Sequence, residues 1–343
     1  MSRRPTLHDV AREAGVSIAT VNRVVKGAKG VREDTARKVA EAASRIGYHG
    51  RTLIAQNARM SLPTVRIGVV LHKEKQEFYR NFAESIQRAA NRCGDANVRL
   101  EFRFSTSQAP TDAAAGLREM APGVDAVAAT AINHHLITEA AEDIQQAGVP
   151  VYSLLSDFAQ GVRESYFGLN NLKVGRGAAN MLEIACRRPG KIALFVGGNR
   201  WHGHELRETG FRMHFRDVQS DFEVLDTFVN LETRQLTYEA TLDLLSRHRD
   251  LVGIHLAGGG MEGAIAALRE ETEPGQIAMV VNERTQESFP AMADGYVSMI
   301  IGTPLDALSD ALVAAIVAQV LGTDTLRQGQ NFFDPVLYLP EFF

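Results

Sequence analysis

Thr6-Leu-His-Asp-Val-Ala-Arg-Glu-Ala-Gly-Val-Ser-Ile-Ala-Thr-Val-Asn-Arg-Val-Val25 is the stretch from which the rest of the chain can be read. Small apolar residues at Val10, Ala11, Ala14, Val21, Val24 and Val25 recur at helical spacing on either side of Gly15, a residue suited to ending a helix in a tight turn. Ser17 is placed to cap a second helix by accepting a free backbone N–H near Thr20. Thr6, with Asp9 three positions on, carries the capping signature of the first helix. A helix-turn-helix is expected.

Beyond it, Lys26-Gly-Ala-Lys-Gly30 reads as a basic turn, and a third amphipathic helix is expected from about Arg32 to Ile46, with Val39, Ala40, Ala43 and Ile46 on its apolar face. Three short helices suffice for a DNA-binding unit whose second helix enters the major groove. In that geometry Ile18 and Ala19 face base edges and Arg23 reaches a guanine. Ser17, Thr20 and Asn22 touch phosphates, and Thr6 is counted with the DNA-contacting set.

Charge is distributed to match. Through Leu62 there are twelve Lys or Arg against five Asp or Glu, whereas the remainder carries 25 against 36. A basic end on an acidic body is what a nucleic-acid-binding module joined to another domain shows, because phosphates reward clustered cations. The 343 residues exceed the ~250–300 at which one core stops growing, so at least two domains are expected. Cys93 and Cys186 have no neighbour at metal or redox spacing and read as thiols of a reducing compartment. With no apolar leader core and no twenty-residue apolar run, a cytoplasmic protein is expected, nucleoid-associated when bound to DNA and without a membrane partner.

The run Thr6–Val25, followed by Thr35-Ala-Arg-Lys-Val39 and Ile46-Gly-Tyr48, resembles the DNA-binding head of the LacI/GalR (lactose-repressor/galactose-repressor) family of bacterial transcription regulators. Asn22 stands where that family usually has Ser. Its hinge pattern is replaced by Gly50-Arg51 and Leu53-Ile-Ala-Gln-Asn-Ala-Arg-Met60, where a helix is still read and Leu53 or Ile54 is the apolar wedge for a minor groove. The resemblance implies a homodimer on a near-palindromic double-stranded operator, and a body like the periplasmic sugar-binding proteins.

From Val65 on, apolar strand-like runs (65–71, 98–104, 124–129, 149–155, 192–196, 223–228, 252–257, 277–281 and 297–301) alternate with amphipathic segments. That alternation implies parallel sheets with right-handed crossovers, an α/β body of two doubly wound lobes. The expected domains are residues 1–50 for the helix-turn-helix, 51–62 for the hinge, and 63–343 for effector binding and dimerisation. By the family analogy, lobe 1 takes 63–159 and 296–324, and lobe 2 takes 160–295 and 325–343.

Ligands of such sheets bind beyond the C-terminal ends of the strands. Those ends supply His72, Lys73, Gln76, Phe78, Tyr79, Thr130, Ser156 and Asp157 from the first lobe. The second supplies Asn199, Trp201, His202, His204, Arg207, Gly258–Gly260, Asn282, Glu283 and Arg284. Aromatic rings stack on sugar faces, while carboxylates and guanidinium groups take hydroxyls in pairs. Arg207, four residues before Phe211, matches the position where sugar-binding relatives place a ligand arginine. The expected effector is a sugar, a polyol, or an acidic or phosphorylated derivative.

Gly258-Gly-Gly-Met-Glu-Gly263 spells the dinucleotide pattern G-x-G-x-x-G, with Glu283 about twenty residues on. It sits in mid-body instead of opening a nucleotide domain. The glycines are therefore read as letting the backbone approach an effector, with the next helix N-terminus holding an anionic group. No cofactor, metal or catalysis is expected, since G-x-S-x-G, G-x-x-x-x-G-K-[ST] and H-E-x-x-H are all missing. A regulator, and specifically a repressor, is the reading. The rivals are a solute-binding transport protein and an NAD(P)-dependent oxidoreductase.

Overall fold

Thr6 and Gly15 bound the first helix, α1 (Leu7–Ala14): the Thr6 amide and hydroxyl both donate to Asp9 Oδ2, at 2.9 and 2.7 Å, and Gly15 at φ 65 turns the chain in the left-handed region. This is a computed structural model, and it describes residues 4–28, 31–60, 62–105, 107–198, 200–323 and 329–342. Helix α2 (Ile18–Val25) starts under Ser17, whose Oγ accepts the Thr20 amide at 3.2 Å. Lys29 and Gly30 of the basic turn lie outside the described residues. After α3 (Glu33–Arg45) comes α4 (Arg51–Met60), which packs onto the head: Ile54 is fully buried with Val10, Val21, Val39 and Tyr48. Asn57 Nδ2 donates to Val25 O at 2.7 Å and ties α4 to the end of α2.

The next part of the chain builds β1 (Thr64–His72), α5 (Glu77–Arg92), β2 (Asn97–Ser105), α6 (Pro110–Met120), β3 (Ala126–Ala129), α7 (His135–Gln146), β4 (Val151–Leu154) and β5 (Ser165–Leu169). Strands β3, β4 and β5 are buried along their whole length, as strands covered by helices on both faces must be. The second lobe contains α8 (Asn171–Ala185), β6 (Lys191–Val196), α9 (His202–Asp217), β7 (Glu223–Val224), β8 (Phe228–Val229), α10 (Arg234–Arg247) and β9 (Leu251–Leu256). It continues with α11 (Met261–Glu271), β10 (Ala278–Asn282), α12 (Ser288–Ala293) and β11 (Met299–Gly302). Last come α13 (Leu305–Leu321), β12 (Gly329–Phe333) and β13 (Val336–Tyr338). Among the described residues one sheet runs β12-β5-β4-β3-β1-β2 and the other β13-β11-β10-β9-β6-β7, with β8 also on β6.

The lobe boundaries differ from expectation. Strand β5 pairs with β4, so the first crossing follows Leu169 and not residue 159. It was passed over because β4 and β5 are joined by a loop without the helix that the alternation rule requires. Residues 299–302 belong to the second lobe, where β11 lies parallel to β10 and buries Met299, Ile300 and Ile301. Strand β12 then returns to the first sheet beside β5, and β13 to the second, antiparallel to β11. The expected boundary at 324/325 falls outside the described residues. Helix α13 packs its Leu308, Leu312, Val313 and Ile316 into the first lobe's own core.

Candidate ligand cleft and nucleic-acid interface

In the head, Ser17, Ala19 and Arg23 are exposed, while Ile18, Thr20 and Asn22 are half-buried. Ile18 rests partly against the head core. The Ser17 and Thr20 hydroxyls stand 2.9 Å apart, so one donates to the other. The Thr6 hydroxyl hydrogen is engaged by Asp9, leaving Thr6 as a cap. The pair offered as a minor-groove wedge is now split: Ile54 is locked in the core, and Leu53, 50% exposed, is the side chain that α4 presents. Helical period explains this, since adjacent residues lie about 100° apart around an axis.

Between the lobes is a cleft of about 400 Å³ at the C-terminal ends of the strands. Gln76, Phe78, Tyr79, Thr130, Ser156, Trp201, Arg207, Gly258 and Glu283 all line it, together with His204, Glu232, Asn282, Thr285 and Thr303. Asp157 does not. Its Oδ1 accepts from Ser153 Oγ (2.7 Å) and Arg163 Nε (2.5 Å), and its Oδ2 from Arg163 Nη2 (2.7 Å), Gln160 and Gln330. Burial alone would raise this carboxyl's pKa, but the bonds from Arg163 and Ser153 hold it below the usual range. Asp157 is thus corrected from a ligand contact to a clasp that fastens β12 to the loop after β4. Arg284 lies over the Phe289 ring at 4.2 Å, His202 pairs with Glu205 at 3.4 Å, and Asn199 lies outside the described residues.

Arg207 is buried where α9 crosses α8. The two helices approach so closely that a Cβ on Gly175 would sit 1.9 Å from Arg207 O. The Arg207 Nε donates to Asn171 Oδ1 and its Nη1 to Ala257 O, both at 2.7 Å. Asn171 in turn donates to the Tyr166 hydroxyl at 3.2 Å. Among the described residues no acceptor meets Arg207 Nη2. Burial pulls the guanidinium pKa down, and the Glu283 carboxylate opposes that pull. Glu283 adopts φ 72 and accepts from Thr303 Oγ1 (2.6 Å) and Thr303 N (2.9 Å); burial still raises its pKa. Both amide atoms of Asn282, Thr130 Oγ1 and Trp201 Nε1 are buried without a hydrogen-bond partner among the described residues. Each such atom costs roughly 1–3 kcal/mol unless a ligand or water meets it.

Sequence reasoning missed Glu232. The run 223–228 was read as one strand, but it is divided into β7 and β8, and the turn after β8 swings Glu232 into the cleft at φ 53. The glycines at 258–260 line the cleft and leave room for neighbouring side chains. A Cβ on Gly258 would lie 2.7 Å from His204 Cε1, and one on Gly259 would lie 3.0 Å from Glu232 Cβ. The Gly259 amide, two residues ahead of α11, donates to Glu232 Oε1 at 3.3 Å.

The lobes grip each other across the opening. Lys73 Nζ donates to Leu231 O (2.7 Å), Gln76 Nε2 to Glu232 O (3.3 Å), and the Gln286 amide to Glu77 Oε2 (2.9 Å). Trp201, from the second lobe, packs in an apolar cluster of the first, its ring 5.4 Å from that of His72. Burial holds three imidazoles neutral here, lowering His72 and His255 to about 4 and His204 to about 3.

A helix-turn-helix ahead of a two-lobed body with a polar cleft defines a class of proteins, and sequence comparison agrees. Residues 6–50 match "Bacterial regulatory proteins, lacI family" and residues 67–324 match "Periplasmic binding protein domain". The chain belongs to the periplasmic-binding-protein family through its body and carries a lacI-family DNA-binding domain at residues 6–50. It is 42% identical over 81 residues to catabolite control protein A of Streptococcus mutans, a stretch that is 24% of each protein, so the chain spans about a quarter of that relative's length. In fold it is similar to a solute-binding protein of Burkholderia graminis in complex with D-arabinose (TM-score 0.75, 17% identity, 81% of this chain and 96% of that one). It is similar too to one of Agrobacterium vitis bound with α-D-tagatopyranose (TM-score 0.73, 17% identity, 80% and 94%).

Proposed function

We propose that the protein is a ligand-responsive transcription regulator, a repressor acting in the cytoplasm as a homodimer, whose affinity for a near-palindromic operator is set by a small polyhydroxylated effector in the inter-lobe cleft. The observation that carries this is a short covalent route. Helix α4, packed onto α2 and α3, ends at Met60, and β1 begins at Thr64 and runs to His72, next to the Lys73 and Gln76 that grip the second lobe. The reader and the cleft share one strand. Relatives in fold are titled as binding D-arabinose and tagatopyranose, which supports a sugar-like effector. An effector can shift operator affinity only by its differential affinity for two lobe arrangements.

Selection of binding duplexes from a random pool, followed by titration at several salt concentrations, tests the reading. One near-palindromic family should be enriched, with affinity falling steeply in salt, and one sugar-like compound should change that affinity. Binding of random duplex as tightly as any selected sequence would overturn it. The solute-transport and oxidoreductase readings leave the head without work, and no observation in the cleft favours them.

A further inference from the structure

We propose that Glu232 is the specificity-determining residue of the cleft, accepting hydroxyl groups of a neutral polyhydroxylated ligand on Oε2 and excluding ligands that carry a carboxylate or phosphate. This assignment rests on the cleft being the effector site. Glu232 is built in, not incidental: its side chain is 8% exposed, and Oε2 has no hydrogen-bond partner among the described residues. Lys73 Nζ stands 3.7 Å from Oε2, beyond hydrogen-bond length, and donates instead to Leu231 O. Room for the carboxylate comes from glycines of two strand ends, since a Cβ on Gly197 would lie 2.4 Å from Glu232 Cγ and one on Gly259 would lie 3.0 Å from its Cβ. Any side chain at Gly197 would push this carboxylate out of its niche.

Charge decides what the niche accepts. The lining carries Glu77, Glu262 and Glu283 beside Glu232, against Lys75, Arg80, Arg234 and an Arg207 with two of its three nitrogens fixed by protein acceptors, so discrimination rests on the local charge at Glu232. Its Oε1 accepts the Gly259 amide, just ahead of the Gly260 N-cap of α11, which fixes Glu232 with Oε2 lacking a hydrogen-bond partner among the described residues. An anion at Oε2 would set like charge against like charge in a desolvated niche, whereas a hydroxyl donates into an oxygen that lacks a donor.

The test uses the full chain with matched probes: D-glucose, D-galactose, D-arabinose and D-xylose, the corresponding polyols, and their uronates, aldonates and sugar phosphates, read by thermal shift and calorimetry. A neutral compound should bind, with its acidic or phosphorylated partner weaker by roughly thirtyfold or more. Glu232→Gln should weaken the neutral ligand about tenfold and shrink the gap to the acid below about threefold. Lys73→Met removes an inter-lobe contact while leaving the carboxylate, and must keep the discrimination. If K73M and E232Q lose it alike, Glu232 is merely a latch and the proposal falls. If E232Q melts well below wild type, Glu232→Asp withdraws the oxygen with its charge retained, and must weaken the neutral ligand without admitting the acid. Equal wild-type binding of neutral and acidic forms overturns the assignment alone. Binding of no compound in the panel overturns the sugar-like effector as well.

Discussion

Arg207 shows how one side chain is made useful by what immobilises it. Two of its nitrogens are fixed at 2.7 Å by Asn171 and Ala257, so an effector in the proposed site would meet a donor that has already lost its rotamer freedom. Arg207→Ala should therefore lower effector affinity roughly a hundredfold, in line with about 1.5–3 kcal/mol for a charged hydrogen bond, while operator binding without effector is retained. Calorimetry beside a mobility-shift titration reads both, and loss of operator binding would place the arginine in folding instead. Arg207 was singled out in the sequence because its place four residues before Phe211 matches the position of a ligand arginine in the sugar-binding proteins the body resembles. Glu232 was not: its place depends on glycines at 197, 258 and 259 clearing space from two other strands, and no local pattern encodes such a meeting.

Helix α4 divides its duties between neighbours. Ile54 is a core residue of the head and Leu53 is half exposed on the outer side. Ile54→Ala should destabilise the head by about 2–5 kcal/mol, the usual range for deleting a buried aliphatic chain, visible as an early unfolding transition in calorimetry. Leu53→Ala should leave that transition in place and weaken operator binding; unchanged binding would remove Leu53 from the interface. The contact between α8 and α9 makes a further element-scale prediction. At Gly175 a methyl group would meet Arg207 O at 1.9 Å, so Gly175→Ala must push α9 outward and carry Arg207 with it. Effector affinity should drop with a modest fall in melting temperature, and a normal effector isotherm would count against the helix contact as the element that positions the arginine.

At the scale of the molecule, three uncharged histidines couple stability to pH. His72, His204 and His255 protonate near 4, 3 and 4 in the folded protein because burial disfavours the imidazolium, against about 6.5 for the free side chain. Between about pH 6.5 and 4 the unfolded chain therefore binds more protons, and stability falls as pH drops, by up to about 1.4 kcal/mol per unit for each group. Glu283, raised by burial, acts in the opposite sense and limits the net loss. A denaturation midpoint at pH 5 below that at pH 7.5 is expected; equal midpoints would mean the imidazoles gain charge without penalty. Trp201 is the chain's single tryptophan and is 5% exposed against the opposite lobe, so its emission should shift to the red when the lobes part. The two-lobed alternation was legible because strand and helix periods differ. The crossings were not: β5 follows β4 without a helix, and the family analogy put residues 296–302 in the first lobe although β11 pairs with β10, the strand just before it.

The short passage from β12 to β13 places neighbouring segments in different sheets: Gly329–Phe333 lies beside β5 and Val336–Tyr338 beside β11. Neither sheet has all its strands until this stretch has left the ribosome. Until then β5 and β11 each lack the partner strand that covers their edge. A nascent chain arrested before residue 329 would thus carry every helix of the head but neither β12 nor β13.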